Sequence, residues 1–156
     1  MAARLIFQNR VLFFAVLASA GLLGLAALGP GLFGSTAVFN SWQYQIFDSI
    51  CHQDPFRSYY LSGVQMAVCS RCLGIYGMFF IGWLMLPAFA VLTSGSTQKE
   101  KNWLIAAIIL NLVDVLGNYF GIWTNSMTSR LVLGGLLSLG IVILLADEFF
   151  TINKSE

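Results

Sequence analysis

The sequence predicts an all-α polytopic membrane protein, with four transmembrane helices and a short interfacial helix in a single domain, 1–156. Three observations support this expectation. Hydrophobic residues make up 58% of the chain against 10% charged, too apolar for a soluble globule of 156 residues. Four apolar segments reach spanning length, at about 11–33, 67–93, 103–123 and 130–150. The formal net charge is only +1, with no acidic tail or basic patch, which argues against nucleic acid as a partner and points to the lipid bilayer or other membrane-complex subunits.

The first apolar segment shares features with a secretory leader: Arg4 and Arg10 precede it, and it contains an Ala-x-Ala step from Ala18 to Ala20. Its length argues for a span instead, because roughly 23 residues make about 34 Å of helix. Next comes the longest polar insertion, in which Phe39, Trp42, Ile46 and Ile50 recur three to four apart, with Asn40, Gln43 and Asp48 on other faces. That spacing predicts an interfacial helix over about 39–50, an anchor with no chemistry of its own. The stretch from Thr93 to Asn102 is polar, contains Gly95 and reads as a solvent-facing connection.

If the chain starts inside, Arg4, Arg10, Lys99, Lys101 and Lys154 fall on the cytoplasmic side, and Arg57, Arg71 and Arg130 on the other. The bias favours both termini in the cytoplasm. Residues 51–72, the end of the third segment and Arg130 then share the extracytoplasmic face. Small residues recur at helix-packing spacing in Ala20 and Gly24, Gly117 and Gly121, and Gly134 and Ser138.

Chemistry-bearing residues concentrate in three places. "CHQDPFRS", 51–58, holds the only histidine, His52, directly after Cys51. "CSRCLGIYG", 69–77, opens the second segment with Cys69 and Cys72, whose spacing brings two thiols to one side for a tetrahedral metal or a disulfide. Together these four residues have the ligand count of a Cys3His zinc site. Adjacent residues on a regular helix diverge by about 100°, so Cys51 and His52 bind one ion only if the backbone is irregular, which the nearby Pro55 favours. If His52 stands aside, the three cysteines leave a fourth position open, as a catalytic metal requires. The redox alternative uses the same thiols: a helix start and Arg71 both lower a thiol pKa, and Cys51 would serve as an exchanging third. Three buried cysteines packing as small hydrophobes would leave the pairing with His52 unexplained.

The third place is within the membrane, where Asn111, Asp114 and Asn118 form one polar stripe on the third helix. A carboxylate at that depth must face the protein interior, and Arg57, Arg71 and Arg130 are its extracytoplasmic cations. Asp114 is either a clamp between helices or a site group, as acid, base or counter-charge. Several arginines around one carboxylate favour an anionic ligand such as a phosphate, a carboxylate or a lipid head group. Tyr76 adds a hydroxyl one turn beyond Cys72, or serves as an interfacial anchor.

These motifs resemble those of a domain-of-unknown-function family of small prokaryotic integral-membrane proteins. The resemblance rests on Cys51, His52, Gln53, Pro55, Arg57 and Ser58, on Cys69, Arg71, Cys72, Gly74, Ile75 and Tyr76, and on Asp114 and Arg130, over about 50–140. The family typically continues its Asp with Gly where this chain has Val115. The resemblance implies that these residues form a unit and supplies no activity. Quinone-coupled disulfide-forming enzymes are similar in having four helices and an extracytoplasmic Cys-x-x-Cys, an analogy of fold and motif alone.

The resulting expectation is a zinc ion at Cys51, His52, Cys69 and Cys72 beside a pocket of Arg57, Arg71, Arg130 and Asp114. Such a protein would be a metal-dependent enzyme or binding protein for an anionic or lipid-linked ligand. The alternatives are a thiol-disulfide oxidoreductase coupled to a quinone, and an accessory subunit of a membrane complex whose metal staples a loop.

Overall fold

The computed structural model describes residues 4–7, 9–32, 41–93 and 97–153. A short strand, β1 (Arg4–Phe7), leads into α1 (Arg10–Ala27), which starts behind Asn9, whose side-chain oxygen accepts from the Leu12 N–H at 3.2 Å. α1 ends sooner than the expected 33. Pro30 opens a single 3-10 turn (Pro30–Leu32), and the residue before a proline disfavours the α conformation.

α2 (Ser41–Asp48) occupies the expected interfacial segment; Phe39 and Asn40 lie outside the described residues. Its Trp42 and Ile46, with Ile50 just beyond, are exposed, while Gln43 and Phe47 are buried. The apolar stripe read from the sequence therefore faces outward, as an interface-lying helix requires. A two-residue-per-strand hairpin follows, β2 (Tyr60–Leu61) against β3 (Val64–Gln65).

The segment expected as one helix over 67–93 is two, α3 (Ser70–Leu84) and α4 (Leu86–Thr93). In a continuous helix the Pro87 ring would collide with the Trp83 carbonyl. The chain leaves the helix at Met85 and restarts with Pro87 in the first turn of α4, where an N–H has no helical acceptor to lose. α5 (Thr97–Tyr119) begins well before the expected 103, so most of the supposed polar connection is helical. Gln98, Glu100 and Lys101 are good helix formers, and Gln98 Nε2 donates to Asn102 Oδ1 one turn on at 3.1 Å. Gly95 lies outside the described residues. α6 (Met127–Phe149) is capped by Ser126, whose side chain accepts from the Ser129 N–H, and runs into β4 (Phe150–Asn153).

α3 and α6 form the most extensive helix pair and run parallel: Gly74 abuts Leu131 near their starts, and Gly82 abuts Leu139 and Val142 further along. α1 and α5 flank this pair in the opposite sense. Phe13, early in α1, stacks on Trp83 at the end of α3, with ring centroids 5.8 Å apart, and the Trp83 Nε1–H donates to the Phe13 carbonyl at 3.0 Å. Leu104, early in α5, meets Gly140, late in α6. β1 pairs antiparallel with β4, Arg4 opposite Asn153, joining the two ends of the described chain.

α1, α5 from Glu100, and α6 are each long and apolar enough to cross a membrane; α3 and α4 are individually shorter. The outer face of α5 exposes Ile105, Ile108, Ile109, Leu112 and Leu116, a surface suited to lipid rather than water. Two apolar cores lie inside. One packs Phe13, Trp83, Leu86, Val142 and Phe149 toward the β1–β4 end; the other packs Ala27, Phe47, Cys51, Ala67 and Val68 at the opposite end.

Candidate metal centre and its arginine pocket

Cys51, Cys69 and Cys72 converge at the second core, with all three Sγ atoms within 4.8 Å of one another. Cys51 comes from the loop after α2, Cys69 is the N-cap residue of α3, and Cys72 lies in its first turn. The Cys69 N–H donates to Cys51 Sγ at 3.1 Å, joining the two segments directly. A tetrahedral zinc needs its sulfurs about 3.8 Å apart, at bonds of about 2.3 Å. Three clustered thiols, half-buried to buried, fit that donor set with little adjustment.

The backbone at Cys51 and His52 is irregular, as their sharing one ion would require, yet the two side chains do not converge. Gln53 adopts φ 48°, left-handed for a non-glycine residue, and His52 is exposed beside the buried Cys51. The imidazole is not among the donors gathered with the three thiols; it lies at the rim of the same cavity of about 320 Å³. Gln53, named in the sequence only as a member of the 51–58 motif, holds the loop. Its Nε2 donates to the Tyr44 carbonyl at 2.6 Å and its carbonyl accepts from Gln65 Nε2 at 2.7 Å, while the Tyr44 hydroxyl donates to the Gln65 carbonyl at 2.6 Å. Two glutamines and a tyrosine thus tie the Cys51 loop to α2 and β3. Tyr44 and Gln65 belong to no motif that would have marked them, and the motif that contains Gln53 assigns it no role.

The Cys69 thiol, preceding α3, is pulled down to about 5. The main cause is the hydrogen bond from the Cys72 thiol; burial opposes it, and the Cys72 and Arg71 N–H groups and the Cys51 thiol assist. Metal-free protein should therefore hold Cys69 as a thiolate above about pH 6 and lose it as the pH falls through 5. Alkylation by iodoacetamide, followed by peptide mapping across pH 4 to 9, should show Cys69 reacting with a midpoint near 5. A midpoint at the ordinary thiol value would contradict this arrangement.

A second cavity, of about 370 Å³, adjoins the first through Arg57, Arg71 and Arg130, which line both. Of the three candidate cations Arg71 is the one that pairs with Asp114: Arg71 Nη2 donates to Asp114 Oδ2 at 2.5 Å, with both side chains largely shielded. The same oxygen accepts from Asn125 Nδ2 at 2.6 Å, and the Asn125 N–H donates to Asn118 Oδ1 at 3.3 Å. Asn111 Nδ2 donates across to the Leu133 carbonyl at 2.9 Å, clamping α5 to α6. Each member of the predicted stripe therefore has a partner, and Asn125 in the α5–α6 turn is an addition. Arg57 instead pairs with Asp54 in its own loop at 3.1 Å.

Both α3 and α5 pack on α6 but scarcely on each other, so Arg71–Asp114 is a bridge between the two flanking helices. Asp114→Asn should cost about 2–3 kcal/mol, because a shielded guanidinium loses its counter-charge while the amide still bonds. In a thermal-denaturation series, Arg71→Gln with Asp114→Asn should lose less than the sum of the single changes. Additive losses would mean the pair is not coupled.

Fold and site together define a helical membrane protein with a thiol cluster and an arginine pocket at one end of its bundle. The chain belongs to the family described as "Predicted membrane protein (DUF2085)", which it matches over residues 51–144. That span holds all three cysteines, Asp114 and Arg130. It is also similar to an uncharacterised protein of Methanocaldococcus jannaschii, 32% identical over 107 residues, covering 69% of this chain and 68% of that one. No solved structure matches.

Proposed function

We propose that this is a zinc-binding integral membrane protein whose metal, held by Cys51, Cys69 and Cys72, works with the arginine pocket on an anionic ligand. The convergence of three thiols from two separate elements supports this reading above any other observation. Zinc, when bound, supplies Lewis acidity toward a ligand oxygen. The chain's own residues do the rest. Arg71 and Arg130 hold the anion from the shared wall, Asp114, itself held by Asn125, fixes the Arg71 guanidinium, and exposed His52 at the rim exchanges a proton with solvent.

The chain crosses the membrane four times on this reading, with α3 and α4 together making one crossing beside α6. Pairing of β1 with β4 supports it, since an odd number of crossings would leave the two strands on opposite sides. Arg4, Arg10, Lys99 and Lys101 belong to the end of the bundle that carries those strands, so that end is cytoplasmic and the thiols face outward.

Elemental analysis with thiol counting on anaerobically purified protein tests the metal. The expected result is one zinc per chain and three thiols after denaturation in chelator. A disulfide with no metal would overturn the reading and favour thiol-disulfide exchange, for which the depressed Cys69 thiol is the supporting observation.

A further inference from the structure

We propose that the cavity walled by Arg57, Arg71 and Arg130 is a site for a singly charged phosphodiester, supplied by the head group of a membrane phospholipid. The inference rests on the arginine pocket being a ligand site, and not on the metal.

The first argument is the count of donors. The Nε atoms of Arg71 and Arg130 are buried and have no hydrogen-bond partner. The unmet Nε–H groups show that the protein does not saturate these guanidiniums, and a ligand oxygen in the cavity they line can bond their outer nitrogens. Arg130 also stands in the first turn of α6, where the helix dipole disfavours a cation. An anion in the cavity beside this guanidinium offsets that unfavourable placement.

The second argument is charge. Asp54 offsets Arg57 and Asp114 offsets Arg71, which leaves Arg130 as the one guanidinium here without a carboxylate among the described residues. The pocket thus tolerates one charge on its ligand and not two, which selects a phosphodiester over a phosphate monoester.

The third argument is location. The cavity includes Val115 and Tyr119 of α5, both exposed on the lipid-facing side, so it opens laterally. Around this end of the bundle Trp42, Phe56, Tyr60, Tyr119, Phe120 and Trp123 are exposed, the girdle that marks head-group depth. Acyl chains attached to a bound head group can lie along the exposed Leu112 and Leu116 without leaving the bilayer.

The test uses full-length protein in a neutral maltoside detergent. Binding of dihexanoyl phosphatidylglycerol, dihexanoyl phosphatidylcholine and inorganic phosphate is measured by calorimetry, with metal content recorded for each sample. Phosphatidylglycerol is expected to bind, phosphatidylcholine more weakly because its ammonium meets the arginines, and phosphate at least about 10-fold more weakly than phosphatidylglycerol. Arg130→Gln should weaken phosphatidylglycerol about 10- to 100-fold with metal content unchanged, and Arg130→Lys should fall between, keeping the charge but not the fork. Phosphate binding as tightly as phosphatidylglycerol would overturn the lipid source. Binding unaffected by Arg130→Gln, or none by wild-type protein carrying its metal, would overturn the site while leaving the metal reading intact. Phosphatidylglycerol binding by a metal-free preparation would support the site even where the metal reading fails.

Discussion

Gly74→Ala is expected to destabilise the bundle by about 3 kcal/mol or more and to strip the metal at the same time. A Cβ at this position would lie 2.1 Å from the Leu131 carbonyl oxygen and 3.1 Å from the Gly135 nitrogen. Both are backbone atoms, so no side chain can turn aside and the two parallel helices must separate. The reciprocal contact is as tight, with a Cβ at Gly134 falling 2.3 Å from the Arg71 carbonyl. Separation would loosen packing along the α3–α6 seam, draw Arg71 away from Arg130 and strain the α3 N-terminus that carries Cys69 and Cys72. Gly77 is the internal control, since nothing lies within 4 Å of a Cβ there. Gly77→Ala should be neutral or gain up to about 1 kcal/mol from helix propensity. Thermal unfolding in detergent, with metal per chain, reads both. If Gly74→Ala behaved like Gly77→Ala, the close parallel approach of α3 and α6 would be wrong.

Cys51→Ser is expected to lose the metal altogether, while His52→Ala keeps one per chain. Thiolate binding of a structural zinc is worth about 10–16 kcal/mol in all, so one of three thiolates carries about 3–5 kcal/mol, a drop in affinity of about 150- to 5,000-fold. Cys51 also accepts the Cys69 N–H in a buried setting, so a shorter Ser oxygen leaves that donor poorly matched. Chelator treatment of wild-type protein should lower its unfolding temperature toward that of Cys51→Ser and leave the variant unmoved. Equal metal loss in His52→Ala would make the imidazole a fourth ligand, closing the coordination that the proposed chemistry needs open.

Periodicity and composition revealed the helices because lipid-facing residues leave long apolar runs. They blurred the ends, where local chemistry decides. Pro87 broke a run that hydropathy alone reads through, and Gln98 to Lys101 extended α5 into a stretch whose polarity suggested a loop. β1 and β4 were invisible, because four-residue strands at opposite ends of a chain have no local pattern that names a partner. Among the small residues, Gly134 does let helices approach, whereas Gly117 makes room for the Trp123 ring and nothing abuts Gly24. Gly74, the tightest contact on α3, was noted only as part of a motif. The thiols and the Arg71–Asp114 pair were legible because cysteine pairs and intramembrane charges are expensive to leave unassigned. The Gln53, Gln65 and Tyr44 tie was not, since ordinary polar residues gain their role only from where the fold sets them.

The β1–β4 pairing also orders events in time. A ribosome makes β1 before any of the helices and β4 after the last, so the strand that begins the described chain must wait, unpaired, through the insertion of everything between them. Closing that contact bridges nearly the whole sequence, and its entropic cost falls only once the helices have already brought the ends together. The small sheet is thus a latch that engages late, and it discriminates a finished bundle from one with a helix missing or misrouted.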